Sequence, residues 1–263
     1  MNRVIYLDNN ATTKVDQIVI DEMLPYLGQM YGNPSSMHTF GGQVAKKIRE
    51  ARQRVADLLG CDPDEIIFTS CGTESDNAAI RGTLATYPRL RKVITSRVEH
   101  PAVLSPCREL VRRGYQVHEL SVDKEGRLNL DELAKEIDDN TALVTIMYAN
   151  NETGVIFPVE EIGAICRARG VPFHTDAVQA FGKIPFNLKK SNIDMLSLSG
   201  HKIHAPKGIG VLYVRRGTRL VPFLLGGHQE AGRRGGTENV AGIVALGKAC
   251  QLAGQYMDDE NTR

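Results

Sequence analysis

The 263-residue sequence predicts an α/β fold, a mostly parallel central sheet flanked by helices on both faces. Two observations predict it. Between residues 66 and 214, short apolar runs of strand length alternate with longer stretches of helical periodicity. Polar residues capable of chemistry then recur just past the ends of those runs, where open sheets of this kind bind their ligands.

Before that alternation, residues 15–30 read as a helix with apolar positions at Val15, Val19, Ile20, Met23, Leu24 and Leu27, interrupted by Pro25. GNPSS at 32–36 is a loop. Residues 44–59 form a basic amphipathic helix ended by Gly60. Its Lys46, Lys47, Arg49, Arg52 and Arg54 read as a solvated face. Strands are expected over 66–69, 92–95, 116–120, 142–148, 172–175, 194–198 and 209–214, with helices over 73–85, 102–112, 130–137 and 159–169. A last helix over 237–257 carries apolar Val240, Ile243, Val244 and Cys250 and runs into DDENTR with no glycine or proline stop.

Bulk properties narrow the function classes. A net charge of +1 with 24% charged residues provides no field for nucleic acid or an anionic membrane, and GRRGG at 232–236 stands alone where RNA-binding RGG segments repeat. No run approaches a membrane span, and MNRVIYLDNNATT has no signal-peptide core. The five cysteines, Cys61, Cys71, Cys107, Cys166 and Cys250, are scattered without a CxxC, which suits a reducing cytoplasm. His201 and His204 lack the companions of a metal site.

The chemistry collects at strand ends. MLSLSGHKIHAPKGIG at 195–210 breaks from a strand at Gly200 and presents His201 and Lys202. A desolvated lysine there can lose its proton and attack a carbonyl, although most lysines after strands are solvated. TSCGTESDN places Gly72 and Thr73 at a helix start, either as a phosphate cradle or as a plain cap in the pattern Thr73-x-x-Asp76. VEHP puts His100 after the next strand, and YANNETG ends another with Asn150 and Asn151, in an Asx-turn or a binding loop. FHTDAVQAF supplies Asp176, whose buried charge needs a cation, either a protonated ring nitrogen or an arginine, and Gln179. Together they are the groups a pyridoxal phosphate site requires.

These stretches, with YLDNNATT, GNPSS and GGHQEAGRRGGTEN, resemble the cysteine desulfurases in family order along essentially the whole chain. That family is a class V branch of the aminotransferase-like pyridoxal 5′-phosphate enzymes, and the likeness is nearest to the nitrogen-fixation, NifS-like type. The resemblance implies that Lys202 holds the cofactor aldehyde and later moves protons at the substrate α-carbon. It implies that His100 stacks on the ring and Asp176 keeps the ring nitrogen protonated. Gln179 would bond the phenolic oxygen, and Gly72, Thr73, Ser199 and His201, with Gly200 between the last two, would hold the phosphate. Asn151 would lie beside the substrate carboxylate, and Thr237 would reach the phosphate of a second subunit, making a homodimer part of the site.

The implied reaction removes sulfur from L-cysteine, leaving alanine and an enzyme persulfide for an iron–sulfur scaffold or another sulfur-acceptor protein. None of the five cysteines matches the family's nucleophile, which is expected beyond this chain's end together with the arginine that clamps the substrate carboxylate. Cys71 reads as a small packed residue. The implied organisation is an aminotransferase-like large domain over 15–250, a 1–14 segment associated with a small domain, and 251–263 leading toward that domain, itself absent. Alternatives are a selenocysteine lyase or other class V lyase, and a non-catalytic cofactor-binding, dimerising fragment.

Overall fold

A computed structural model describes residues 5–262. The strands are β1 (Ile66–Thr69), β2 (Lys92–Ser96), β3 (Gln116–Leu120), β4 (Thr141–Thr145), β5 (Phe173–Asp176), β6 (Met195–Ser199) and β7 (Gly210–Val214). They form one sheet in the order β1-β7-β6-β5-β4-β2-β3, in which β7 runs opposite to the other six. The parallel pairs leave β2, β4, β5 and β6 ending at one edge, and the reversed β7 begins there.

The strands alternate between two apolar faces. Ile66, Phe68, Leu196, Leu198, Val211 and Tyr213 join one core, while Ile67, Met195, Leu212 and Val214 join the other. Burial on both faces is what a helix-covered sheet demands of its strands. The second core is closed by α4 (Gly72–Thr86) and α5 (Pro101–Arg112), and the first by α3 (Thr39–Leu59), α6 (Leu130–Glu136), α7 (Val159–Ala168) and α8 (Val240–Thr262). A Cβ at Gly247 of α8 would stand 2.6 Å from Ala51 Cα, so α3 and α8 pack backbone to backbone.

Several expectations change. The helix over 15–30 is two, α1 (Gln17–Met23) and α2 (Pro25–Gly28), because Pro25 starts a new first turn where its missing N–H costs nothing. Helix α3 begins at Thr39, five residues before Val44, capped by His38 Nδ1 accepting from Gly41 N–H at 3.1 Å. A Cβ at Gly41 would lie 2.6 Å from Asn33 O, so glycine serves packing there. The basic run on α3 is not simply solvated. Arg52 forks onto the buried Glu230 carboxylate at 2.6 and 2.9 Å. Helix α8 starts at Val240, three residues later than read, and continues to Thr262. Residues 1–4 of the 1–14 segment lie outside the described residues. Within the rest, Thr13 is buried, and its N–H and hydroxyl both reach His201 O at 2.9 Å.

Candidate active site

At the carboxyl edge of the sheet the chain encloses a cavity of about 640 Å³. It is lined by Gly72, Thr73, His100, Asn151, Asp176, Gln179, Ser199, His201 and Lys202, residues drawn from five separate stretches of sequence. Gly200 lies in the same 3-10 turn as Lys202, buried behind the wall. Thr237 is elsewhere, in a neighbouring cavity of about 250 Å³ with Ser70 and Gly236.

One end of the cavity is built for an anion. Helix α4 opens at Gly72, with Cys71 extended in the capping position and making no side-chain cap. The Thr73–Asp76 capping pattern is therefore not realised. The helix starts one residue earlier, Thr73 lies in its first turn, and Asp76 is buried. The first N–H groups of α4 lack helical acceptors and point, with the helix dipole, at the cavity. A Cβ on Gly72 would meet Val178 Cγ2 at 2.8 Å, so any larger residue would have to displace Val178 or the helix start.

The other groups are fixed by their strands. Asp176 closes β5, 6% exposed, and its Oδ1 accepts from Val178 N–H at 2.9 Å. Burial raises its pKa, and the Val178 bond and the charge of Lys202 oppose that rise. His100 caps α5, with Nδ1 accepting from Ala102 N–H at 3.1 Å, so in the neutral ring the proton sits on Nε2. Lys202 follows β6 and donates to the carbonyls of Asn10 and Ala11. Burial holds its pKa below that of a free lysine, against the pull of Asp176 and Asp8. His201 is likewise lowered, first by burial and then by Lys202 and Lys207. The Gln179 amide is oriented by chemistry. Lys183 Nζ, which only donates, takes Oε1 at 3.0 Å, leaving the amide N–H group to reach Asn10 O.

Asn150 proves to be the Asx-turn residue of YANNETG. Its Oδ1 accepts from Glu152 N–H and Thr153 N–H at 2.9 Å each, while its Nδ2 donates to Val98 O at 3.0 Å. It thereby braces the loop that presents His100. Asn150→Ala is expected to cost about 2–3 kcal/mol of stability, read by urea unfolding, since each such bond contributes roughly 1 kcal/mol. A loss under half of that would remove the brace.

Residues that the sequence did not single out stand behind the wall or complete it. Glu99 is 5% exposed, accepts from Ser96 Oγ at 2.6 Å and Met147 N–H at 2.9 Å, and has its pKa pushed up to about 8 by burial. Its place directly before His100 in VEHP was the available signal. Asn10 and Ala11 line the cavity itself, although they lie far away in sequence. Cys71 is not packed away. It is half-buried, lines the cavity and lies 3.7 Å from Ser70 Oγ. The other four cysteines are buried, and burial pushes the thiols of Cys61, Cys107 and Cys166 up to about 12 and that of Cys250 higher.

These residues fit pyridoxal phosphate. The α4 start with Thr73, Ser199 and His201 suits a phosphate, Asp176 suits a protonated ring nitrogen, and Lys202 suits an aldehyde. Once bound, such a cofactor withdraws electrons from the α-carbon of an amino acid. Among the described residues no group of His, Cys, Asp and Glu could hold a metal ion, and no helix is long and apolar enough to cross a membrane. A second cavity, of about 260 Å³, contains Arg215, Arg216, Arg233 and Arg234, but each is spent on a carbonyl or a carboxylate of the fold.

A doubly covered sheet with a lysine, a carboxylate and a helix start meeting at one edge defines an aminotransferase-type cofactor fold. The chain belongs to the aminotransferase class V family, whose model matches residues 5–262. It is 66% identical over 249 residues to a cysteine desulfurase of Nostoc sp., covering 95% of this chain and 62% of that one. It is 57% identical over 259 residues to the cysteine desulfurase NifS of Azotobacter vinelandii, covering 98% and 64%. Among solved structures, a NifS-like protein superposes with a TM-score of 0.95 at 43% identity, covering 98% of this chain and 71% of that one. The chain thus spans somewhat under two thirds of the length of these curated relatives.

Proposed function

We propose that this chain is the cofactor-carrying part of a cysteine desulfurase. It binds pyridoxal phosphate in the 640 Å³ cavity and takes L-cysteine there. The carrying observation is the meeting of Lys202, Asp176, His100 and the α4 start in that one cavity. Lys202 anchors the aldehyde and moves the α-proton, His100 covers the ring face, Asp176 holds the ring nitrogen and Gln179 offers its N–H group to the phenolic oxygen. Asn151 borders the substrate end.

The sulfur leaves to a cysteine thiolate, forming a persulfide as alanine departs. The four buried thiols are unsuited to that role, because the thiolate is the nucleophile. The acceptor is therefore Cys71 or a cysteine outside this sequence, and the family resemblance favours the second. Thr237 lies outside its own chain's cavity, which supports its use in a partner copy's site within a homodimer. The NifS relationship supports delivery to an iron–sulfur scaffold protein, and the free cysteines support a reducing cytoplasm.

Borohydride reduction of the chain with pyridoxal phosphate, followed by peptide mapping, tests the reading. One stable phosphopyridoxyl label on Lys202 is expected. Labels scattered over surface lysines, or none, would overturn it.

A further inference from the structure

Asp76 is a buried acid that the chemistry above does not use. It projects from α4, is 1% exposed and lines the same cavity as Asp176. Neither of its oxygens has a hydrogen-bond partner. Titratable and polar groups face it from the neighbouring elements. Asp176 and His174 come from β5, Ser197 from β6, Glu99 from the turn before α5, and Cys71 from the start of its own helix.

None of these is a cation. His174 Nε2 is 3.7 Å from Asp76 Oδ1, but its two ring nitrogens are taken by Thr145 Oγ1 at 2.8 Å and Ser197 Oγ at 2.9 Å. Complete burial also drives the His174 pKa down to about 3, so the ring is neutral. A fully buried, unpaired carboxylate beside a second carboxylate is the costliest arrangement available, and the neutral acid relieves it. Asp176 has what Asp76 lacks, namely the Val178 N–H and the nearby charge of Lys202. Burial, and then the Asp176 charge, push Asp76 well above the usual carboxylate range, against a smaller pull from the Ser197 hydroxyl.

We propose that Asp76 is a positioning residue of the cavity: it stays uncharged, so that the two carboxyls facing the cofactor carry a single negative charge, held on Asp176. The assignment of that charge to a ring nitrogen rests on the function proposed above. The protonation of Asp76 does not.

The test has one arm without cofactor and one with it. In the first, unfolding of wild type and Asp76→Asn is compared from pH 5 to 8. A carboxyl protonated in the fold and ionised in the unfolded chain loses stability as pH rises above its unfolded value. The unfolding constant of wild type relative to Asp76→Asn should therefore grow by up to about tenfold per pH unit. A ratio constant with pH, or one favouring wild type increasingly at high pH, would overturn the proposal. If Asp76→Asn fails to fold, infrared spectra of wild type and Asp176→Asn labelled with 13C-aspartate decide the matter. A protonated-carboxyl band at pH 7 in both is expected, and its absence from both overturns the proposal.

In the second arm pyridoxal phosphate is added. Asp76→Asn should keep the wild-type absorbance maximum, whereas Asp176→Asn should displace it. Displacement by Asp76→Asn alone would put the charge on the wrong residue. If wild type takes up no cofactor, the proposed function fails while the first arm still decides the charge of Asp76.

Discussion

Replacing Lys202 by alanine is expected to slow exchange of the α-proton of L-alanine in D2O by about 10³-fold or more in the chain loaded with pyridoxal phosphate. A positioned acid–base group contributes roughly 10²–10⁴ to a proton transfer, and this lysine is also the proposed anchor. Exchange of L-alanine needs no sulfur nucleophile, so it isolates what this chain's own residues do. The amine is suited to the task because burial lowers its pKa, with Asp176 and Asp8 opposing. More neutral amine is present at a given pH than on a solvated lysine. Wild-type exchange should rise with pH through that lowered value, and Lys202→Ala should lose both rate and rise. Lys202→Arg, always charged, should behave like alanine. Added methylamine should restore part of the rate to Lys202→Ala, a rescue that a merely structural lysine would not show. Exchange unchanged in Lys202→Ala would remove Lys202 from the chemistry.

The strands were legible because each is buried on both faces and reads as a short apolar run between breaks. The seven expected runs, shifted by a residue or two at their ends, are the seven strands, except that 142–148 ends at Thr145. Beyond it the chain still follows β5, with Ile146 N–H on His174 O and Tyr148 N–H on Asp176 O, and then turns toward Asn150. The residues past the strand ends were legible as candidates for the same reason, since sheet topology gathers them at one edge. Less legible was anything whose partner is remote in sequence. Arg52 looked like one charge among several on α3, and only the fold brings Glu230 to it. Asn10 meets Lys202 and Gln179 across the whole chain. Asp76 was misread as half of a local cap, because Thr-x-x-Asp is a local pattern and burial is not. It sits on the helical stripe Gly72, Asp76, Ala79, Ile80 and Thr83, all buried, and a charge on an otherwise small or apolar stripe was the signal available.

Glu230→Ala is expected to cost about 3–4 kcal/mol of folding stability, the largest loss from any single truncation of a polar side chain outside the cavity, because breaking a buried pair strands its partner. Glu230 is 8% exposed, and its carboxylate does three things at once. It accepts both terminal nitrogens of Arg52, at 2.6 and 2.9 Å, and the Phe68 N–H of β1 at 2.9 Å. Arg52 in turn donates to Ile66 O at 2.7 Å and lies 4.6 Å over the Phe68 ring. Alanine would leave a largely buried guanidinium half-satisfied and a strand N–H without an acceptor. The backbone adds to this. Glu230 and Ala231 sit at φ 50° and 56°, a left-handed conformation that side chains resist, and the fork onto Arg52 helps hold it. Arg52→Ala leaves the matching carboxylate unpaired and should cost a similar amount. The double variant should then cost clearly less than the two losses added, with a coupling of about 1–3 kcal/mol in a urea double-mutant cycle. Additive losses would mean that the pair is incidental. The consequence extends to the site, because Arg234 of the same loop pairs with Glu74 at 2.8 Å, and Glu74 accepts the Ser70 N–H at 2.7 Å, just before α4. Freeing the loop at Glu230 should therefore weaken retention of pyridoxal phosphate in proportion to the loosened helix start, while Lys202 remains the labelled residue.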